Sequence, residues 1–488
     1  MKHGQAALAA SLVAGGADVH TTLKGGFTPL IVATALGHVA VMEVLLGAGA
    51  GGAHQAGCSP LLSLRLPLYI AVFLGNTAAA QVLLRAGADV NMAMGEVGAM
   101  FPDVFGHCNQ LGAHSDTLVS NDGTTTPLLS TPLWISVARG RVAMVVALLA
   151  AGADANVPSS DGQTPLFMAL RGGHDAVVMV LLGAGADPDL SEMIGAVHGR
   201  DIPDEKPRLG EKLRGTRTGM TPLLWAVHGG QATIVTALLG AGADANKTEN
   251  NGMTPLALAA HLGDGASVTA LTNGGADVNL TVRDYTPLCM AVQGGHVAAV
   301  TALLGAGADP NKTALTGATP LISAACKGDG AVVTALIRGG AKVDLGVYRD
   351  GNLVTPLLMA ASKGHDAAVK ALLQAGASVV FDSTHDEDDP TTPISVAAYD
   401  GHEEVLKMLL QAGVDVNHAR DGEAAMLVRA VKNGNHAVVA VLYAWTLARD
   451  DPVQRYFLRF TISPRLSPSL IRRGARSLSF PRRSYRLS

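Results

Sequence analysis

The chain has 488 residues, enough for two or three ordinary domains, yet only 4% of them are aromatic while 57 are glycine. With 48% hydrophobic and 16% charged residues, the composition excludes a chain that is disordered throughout. The longest apolar run, residues 437–448, is shorter than the roughly 20 residues that a bilayer requires, so no transmembrane helix is expected.

The first 20 residues have a basic start and an apolar segment, which is the outline of a signal peptide. However, the stretch LVAGGADVH ending at His20 matches a pattern found throughout the chain, so we interpret it as a truncated repeat. The cysteines form no C-x-x-C pair and have no regular spacing, which predicts reduced thiols and a cytoplasmic or nuclear location. They are Cys58, Cys108, Cys289 and Cys326.

One pattern recurs along the chain with a period of 33 residues. Counted from Thr221 as position zero, it has Pro at +1, Leu at +2, Ala at +5, Gly at +9, Leu at +17 and +18, and Asp at +23. A half unit ending at Asp18 comes first. Eleven full units follow, marked by the +9 glycines Gly37, Gly75, Gly140, Gly173, Gly230, Gly263, Gly295, Gly328, Gly364, Gly401 and Gly434.

Each position in the pattern predicts a local structure. Thr is a preferred N-cap and Pro fits the first helical turn, so Thr-Pro begins a helix. Gly at +9 suits the end of that helix, where a left-handed conformation is common. Apolar residues at +13, +14, +17 and +18 have the spacing of one face of a second helix. The Gly-Ala-Asp that follows predicts a turn into a hairpin-like finger.

At these residues the chain resembles the ankyrin repeat family, which has a 33-residue period and the motif T-P-L-H-x-A. The family's His after Thr-Pro-Leu is absent here, which affects a local hydrogen bond only. The resemblance implies an all-α fold over residues 1–448. This fold is an ankyrin-repeat α-solenoid of helix–turn–helix units with β-hairpin-like fingers, about eleven repeats after an N-terminal half repeat. Residues 449–488 are predicted to be a disordered Arg/Ser-rich tail.

Two insertions interrupt the period, near residues 92–130 and 190–217. The first adds about one repeat length, so it is either a decayed repeat or a long finger loop. The second contains the polar segment DIPDEKPRLGEKLRGTR and is interpreted as a mobile loop. A smaller acidic insertion, residues 382–390, is predicted to lie on a finger.

No motif for catalysis, a metal or a cofactor stands out from the repeat background. The glycines of GAGAGG at residues 47–52 follow a helix instead of opening one after a strand, so they lack the geometry that cradles a phosphate. HEEVLK, from His402, has Leu406 where a zinc helix needs its second His. Five histidines share position +10, which indicates a structural role: His38, His174, His296, His365 and His402.

The ankyrin resemblance implies a partner-binding groove formed by the first helices and the finger tips. In this sequence those surfaces correspond to positions +7, +8 and −1. The candidate partner-binding residues are Arg171, Met220, His228, Met253, His261, Tyr285, Gln293, Lys327, Lys363 and Tyr399. Several of them form a basic row with Arg139 and Lys432, although cations at this position also complement the dipole of the helix end.

The basic row contrasts with the acidic remainder of the repeats. Residues 1–451 contain 36 − 9 = 27 Lys and Arg against 40 Asp and Glu, a net charge of −13. This contrast favours a protein partner with an acidic segment. The sequence thus predicts a monomeric, non-enzymatic scaffold or adaptor that needs no cofactor.

The tail differs in composition from the repeats. Residues 452–488 contain nine arginines, no lysine and no acidic residue. Such a segment binds nucleic acid or an anionic membrane through phosphates, which gives the alternative function of a nucleic-acid or membrane-associated regulator. Folding back onto the acidic repeats and an unreliable gene-model end are the other two interpretations.

Overall fold

The structure, a computed structural model, describes most of the predicted repeats and forms two compact units, Met1–Pro255 and Leu256–Ser488. Each unit consists of helical hairpins packed side by side. The described residues are 2–22, 27–50, 64–92, 117–119, 125–127, 131–159, 162–190, 220–314, 317–349, 352–379, 392–414, 426–427, 430–431 and 433–448. The tail at 449–488 and the acidic insertion at 382–390 therefore lie outside them.

In the first unit, a single helix, α1 (Lys2–Ala14), takes the place of the second helix of the half repeat. Helix pairs follow it: α2 (Pro29–Leu36) and α3 (Val39–Gly47), α4 (Arg65–Leu74) and α5 (Thr77–Arg85), α6 (Pro132–Ala138) and α7 (Val142–Ala150), α8 (Pro165–Arg171) and α9 (Asp175–Gly183), α10 (Pro222–His228) and α11 (Ala232–Gly240). A short antiparallel hairpin, β1 (Thr117–Val119) and β2 (Thr125–Pro127), pairs Leu118 with Thr126.

The second unit continues the pattern from the boundary at Pro255. Its helix pairs are α12 (Pro255–Leu262) and α13 (Gly265–Asn273), α14 (Pro287–Gly294) and α15 (Val297–Gly305), α16 (Pro320–Lys327) and α17 (Gly330–Arg338), α18 (Pro356–Ser362) and α19 (Asp366–Gln374), α20 (Pro393–Asp400) and α21 (Glu403–Gln411), before a last helix, α22 (His436–Ala448). The finger before α18 is a hairpin of β3 (Val347–Arg349) and β4 (Asn352–Val354) in which Tyr348 pairs with Leu353.

Capping residues fix where each first helix begins and ends. The hydroxyl of Thr131 accepts the backbone N–H of Trp134 at 3.2 Å, and the same bond recurs at other Thr-Pro starts, such as Thr221 to Leu224. All eleven +9 glycines have left-handed φ, between 63° and 87°. An L-residue with a side chain is disfavoured in this conformation, which explains the recurrent glycine. The predicted starts and ends of the first helices are confirmed.

Neighbouring repeats pack first helix on first helix and second helix on second helix. For example, α4 contacts α2 and α5 contacts α3, while in the second unit α17 contacts α15 and α19. The +17 leucine of every full repeat is buried: Leu45, Leu83, Leu148, Leu181, Leu238, Leu271, Leu303, Leu336, Leu372, Leu409 and Leu442. Burying one leucine stabilises by roughly 1.5–3 kcal/mol, so the shared core depends on adjacent repeats.

A polar residue at +25 joins each finger to the next. The Asn156 side chain accepts the Asp187 N–H at 2.7 Å and donates to the Gly185 carbonyl at 3.4 Å. These bonds satisfy backbone groups that the turn leaves unpaired. Equivalent bonds join Asn91 to Asp154 and, in the second unit, Asn279 to Asp309, Asn311 to Lys342 and Asp344 to Ser378.

The first insertion leaves the stack of repeats intact. Helices on its two sides touch directly, α4 with α6 and α5 with α7, and Asn91 before it accepts the Asp154 N–H at 2.8 Å after it. An intervening repeat would separate these groups, so the insertion is an excursion from the finger and adds no repeat to the stack. Apart from the β1–β2 hairpin, residues 93–130 lie outside the described part of the chain.

The second insertion leaves from the same side of its repeat. The Asp189 carboxylate accepts the Asp244 N–H at 3.1 Å, so the fingers on either side of residues 191–219 remain in register. Lys247 adds a bond from its ammonium to the Asp189 carbonyl at 2.8 Å. The predicted mobile loop itself lies outside the described residues.

One finger is a residue shorter than the others, and its turn is correspondingly different. Gly263 and Gly295 are 32 residues apart, and the finger between them closes with two bonds between Val282 and Tyr285, at 2.9 and 3.0 Å. The residues between them, Arg283 and Asp284, have φ of 48° and 66°. A two-residue turn of this kind favours Asn-Gly, so the Arg-Asp pair stores backbone strain.

Replacing the strained pair with the favoured sequence should stabilise the second unit. We expect Arg283→Asn with Asp284→Gly to raise the free energy of unfolding by about 1 kcal/mol, because the left-handed conformation becomes less costly. The matched control is Gly252→Ala in the neighbouring finger, where φ is 81° and the sign should reverse. Urea denaturation followed by circular dichroism measures both, and an unchanged midpoint for the double variant would show that the turn carries no strain.

Candidate partner-binding surface

Most of the predicted surface residues lie at the exposed ends of first helices. In the first unit, Arg171 ends α8 and His228 ends α10, and both are exposed. In the second unit, the exposed residues are His261 on α12, Gln293 on α14, Lys327 on α16, Lys363 directly after α18, and Tyr399 on α20. Each unit therefore presents a row of side chains, one per repeat, at the same helical position.

The residues at position −1 differ from one another in exposure. Met253 and Tyr285 are half-buried, and each is held by backbone bonds of its finger, Met253 with Glu249 and Tyr285 with Val282. Met220 is only 2% exposed. Its thioether is therefore part of the packed interior, and the prediction that Met220 offers an adaptable contact to a partner does not fit this placement. Met253 and Tyr285 keep part of their surface available.

Two cations of the predicted basic row have structural partners. The Lys327 ammonium donates to the backbone carbonyl of Gln293 in the preceding repeat. Arg139 donates to the Phe73 carbonyl at 3.0 Å and lies 3.9 Å from the centre of its ring. Both carbonyls belong to helix ends, where a positive charge complements the dipole. For these two residues, the interpretation as helix-end cations has direct geometric support.

Arg141 extends this contact in the first unit. Its guanidinium donates to the Val72 carbonyl at 2.6 Å and to the Phe73 carbonyl at 2.9 Å. Burial lowers the pKa of Arg141, and the nearby charge of Arg139 lowers it further. Arginine remains protonated under ordinary conditions despite such shifts, so the pair stays cationic where it crosses from one repeat to the next.

The other cations of the row are less engaged. Within the described residues, the side chains of Arg171, His228, His261 and Lys363 have no hydrogen-bond or ion-pair partner in the repeats. Asp400 is exposed beside Tyr399 and is the acidic residue of the row, while Lys432 lies outside the described residues. The cationic groups left for an external ligand are thus fewer than the sequence pattern indicated.

An apolar residue of the surface was missed by the search for charges. Leu262, at +8 next to His261, is 45% exposed. It shares its position with Lys327 and Lys363, so scanning the +8 column for large apolar side chains would have found it. Leu262 and Tyr399 give the second unit apolar contact area beside its cations.

The recurrent +10 histidines bond to the preceding repeat. His296 Nε2 lies 3.1 Å from the His261 carbonyl, His365 Nε2 lies 3.0 Å from the Cys326 carbonyl, and His402 Nε2 lies 3.1 Å from the Ser362 carbonyl. In the first unit, His174 Nε2 lies 3.4 Å from the Ala138 carbonyl. A carbonyl only accepts, so Nε2 is the donor in each case. The structural role predicted for these histidines is confirmed at four of the five positions.

The described residues also carry little that resembles a catalytic or metal centre. No group of three or more His, Cys, Asp or Glu among them is arranged to hold a metal ion. Within the same residues, no helix combines the length and the hydropathy needed to cross a bilayer. His385 and its acidic neighbours, the weak cation candidate of the sequence, lie outside the described part.

The repeated hairpins, their fingers and their helix-end surfaces define the class of α-solenoid repeat proteins. A family model described as ankyrin repeats (3 copies) matches residues 1–94, 108–192, 204–282, 223–314, 288–383 and 379–450. The chain belongs to the ankyrin repeat family. No functionally curated protein matches it.

Solved structures with similarity to this chain are ankyrin repeat domains. That of human ASB11 is 30% identical, covering 40% of this chain and 86% of that one, with a TM-score of 0.35. That of Bcl-3, described as a unique member of the IkappaB protein family, is 26% identical over 50% and 98% with a TM-score of 0.40. An ankyrin repeat domain from Acinetobacter baumannii AYE is 27% identical over 43% and 98% with a TM-score of 0.36.

The +10 contact can be tested by removing and then restoring its donor. His365→Ala should lower the free energy of unfolding by about 1–2 kcal/mol, because the Cys326 carbonyl loses its partner. His365→Asn should recover part of that loss, since Asn435 makes the same contact naturally by donating to the Tyr399 carbonyl at 2.8 Å. Chemical denaturation of both variants measures the effect, and equal losses for Ala and Asn would argue against the hydrogen bond.

Proposed function

We propose that this protein is a non-enzymatic scaffold or adaptor that binds a partner protein through the first-helix ends and finger tips of its repeats. The observation that carries the proposal is the recurrence of exposed side chains at +7 and +8, one per repeat, on a framework whose other polar positions serve the stack. Membership of the ankyrin repeat family supports it, because such repeats typically mediate protein–protein interaction.

Rigidity explains how such a surface would achieve affinity. Backbone groups at the helix ends and fingers are already bonded to the next repeat, so little conformational entropy remains to be lost on binding. Several modest contacts can then add up to a specific interaction. In the second unit these would be Tyr285, Leu262 and Tyr399 as apolar contacts, with His261, Gln293 and Lys363 as polar ones.

Charge favours an acidic segment in the partner. Lys363 is exposed and faces no carboxylate among the described residues, whereas the repeats as a whole carry a net negative charge. A local cation on an acidic body attracts an acidic segment and discriminates against basic ones. The setting proposed for this interaction is the cytoplasm or nucleus, on the basis of the unpaired cysteine pattern.

A pair of lysine variants from one repeat tests this surface. Lys363→Glu should weaken capture of the partner about fivefold, because a rim charge governs association. Lys370→Glu is the matched control, since Lys370 is equally exposed in the same repeat but lies on the second helix. The full chain and both variants would be used for affinity purification from the native cell's lysate, with crosslinking and mass spectrometry. Equal loss of the same protein in both variants would point away from the first-helix ends.

The Arg-rich tail gives a second candidate, a regulator that associates with nucleic acid or an anionic membrane. Its support is the sequence itself, with nine arginines and no acidic residue between 452 and 488. Each phosphate contact adds to the salt dependence of such binding. The tail candidate and the groove candidate differ in which part of the chain is required.

Truncation at residue 451 separates these two candidates. If the tail carries the function, the full chain should bind single-stranded RNA or phosphatidylserine vesicles with an affinity that falls steeply between 50 and 200 mM salt, and the truncated chain should lose at least about tenfold in affinity. Fluorescence anisotropy and vesicle sedimentation measure this loss. Retention of the protein partner by the truncated chain, together with no binding of either phosphate ligand by the full chain, would reject the tail candidate.

A further inference from the structure

The half repeat at the N-terminus lacks the first helix that every full repeat has. Aligned on LVAGGAD, Leu8 and Leu12 of α1 occupy positions +13 and +17. In a complete repeat these positions are core, as in Ile234 at 2% and Leu238 at 0% exposure. Leu8 and Leu12 are instead 62% and 58% exposed. Two core positions of the repeat therefore face outward at this end of the first unit.

The first helix of the next repeat shows the same deficit from its own side. Pro29 at +1 is half-exposed, whereas the +1 proline of every later Thr-Pro unit is buried. A groove of about 350 Å³ lies against α2, and its lining includes Thr21, Pro29, Val32, Leu36 and Val41. Leu36 is 64% exposed. We call the outer faces of α1 and α2, with this groove, the N-terminal slot.

An exposed face of this kind is unusual at the end of a repeat array. Terminal repeats ordinarily have a polar outer side, because an apolar one promotes association. The described residues that line the groove include no Asp, Glu, Lys or Arg, and α2 itself, PLIVATAL, has no charged residue. The slot is therefore built as an interior surface that this chain's own described residues leave uncovered.

The fold itself shows the shape of the missing occupant. In each following repeat, a seven- to ten-residue helix packs on its own second helix and on the next first helix, as α4 does on α5 and α6. These helices share the sequence Thr-Pro-Leu with Ala three residues later, and Leu223 and Ala226 of α10 are fully buried. A helix with that apolar pattern has the size and chemistry to cover Leu8, Leu12, Val32 and Leu36 together.

We propose that the N-terminal slot binds a short apolar helix presented by a partner protein, with the pattern Thr/Ser-Pro-Leu-x-x-Ala of this chain's own first helices. The uncharged lining requires an uncharged contact face, and the absent helix defines the length of about two turns. Binding is of the helix-in-groove type, in which apolar side chains spaced by three and four residues supply the contacts. This surface is separate from the first-helix ends of the proposed function and does not depend on it.

The test uses a helix of the chain itself as the probe. A fluorescein-labelled peptide of residues 220–230, stapled between positions 225 and 229 to make it helical, would be titrated with the full 488-residue chain and followed by anisotropy. Stapling matters because a helix of this length is marginal in water. Saturable binding with Kd below about 1 mM is expected, and the same peptide with Ala226→Glu should bind at least tenfold more weakly.

Variants of the chain locate the binding. Leu12→Glu or Leu36→Glu should weaken binding of the stapled peptide at least tenfold, since each removes a leucine contact. Both side chains are exposed, so the fold should tolerate the changes, and thermal melting checks this. Leu74→Glu is the matched control, because Leu74 holds the same +8 position as Leu36 one repeat further on and is 44% exposed. It should leave the affinity within twofold.

Three results would overturn the proposal. The first is that the stapled peptide, with its helicity verified, shows no saturable binding. The second is that Leu12→Glu, Leu36→Glu and Leu74→Glu all bind it equally. The third is that sedimentation equilibrium reveals a dimer of the chain that the peptide dissociates, in which case a second copy occupies the slot in place of a separate partner.

Discussion

The whole structure depends on one contact, the burial of the +17 leucine between neighbouring helices. No repeat can bury this side chain alone, because its two helices are only seven to thirteen residues long and present an open apolar face. Leu45 to Leu442, eleven leucines in all, are covered in this way. Leu12, the equivalent side chain in the half repeat, stays exposed, which shows that the first helix is needed to complete the core.

Polar contacts then set the distance and register between repeats. Side chains at +10 bond to the helix-end carbonyls of the preceding repeat, and those at +25 accept from the next finger, as Asn156 does from Asp187. Both kinds of contact satisfy backbone groups at places where the regular ladder ends. Because these bonds lie in the helices and finger bases, long insertions such as residues 191–219 can leave from the finger without separating the repeats that flank them.

The repeat architecture could be predicted from the sequence almost completely, and the surface only in part. Thr131, Gly140 and His296 occupy positions whose role follows from local chemistry, and the structure places them accordingly. Lys327 and Met220 could not be interpreted in that way. Whether a cation reaches the preceding carbonyl, or a methionine is covered, depends on the distance between segments far apart in sequence, which a periodic pattern does not contain.

Positions that the stack leaves unused are where a partner-binding function can reside. At +10 and +17 the framework dictates the residue, so a change there lowers stability whatever the partner. At +7 and +8 the framework accepts Arg171, Gln293, Lys363 and Tyr399 equally well, because their side chains end in solvent. A repeat protein can therefore alter what it recognises one repeat at a time while keeping its core, since the residues that specify the fold and those free to specify a partner are on different positions of the same short helix.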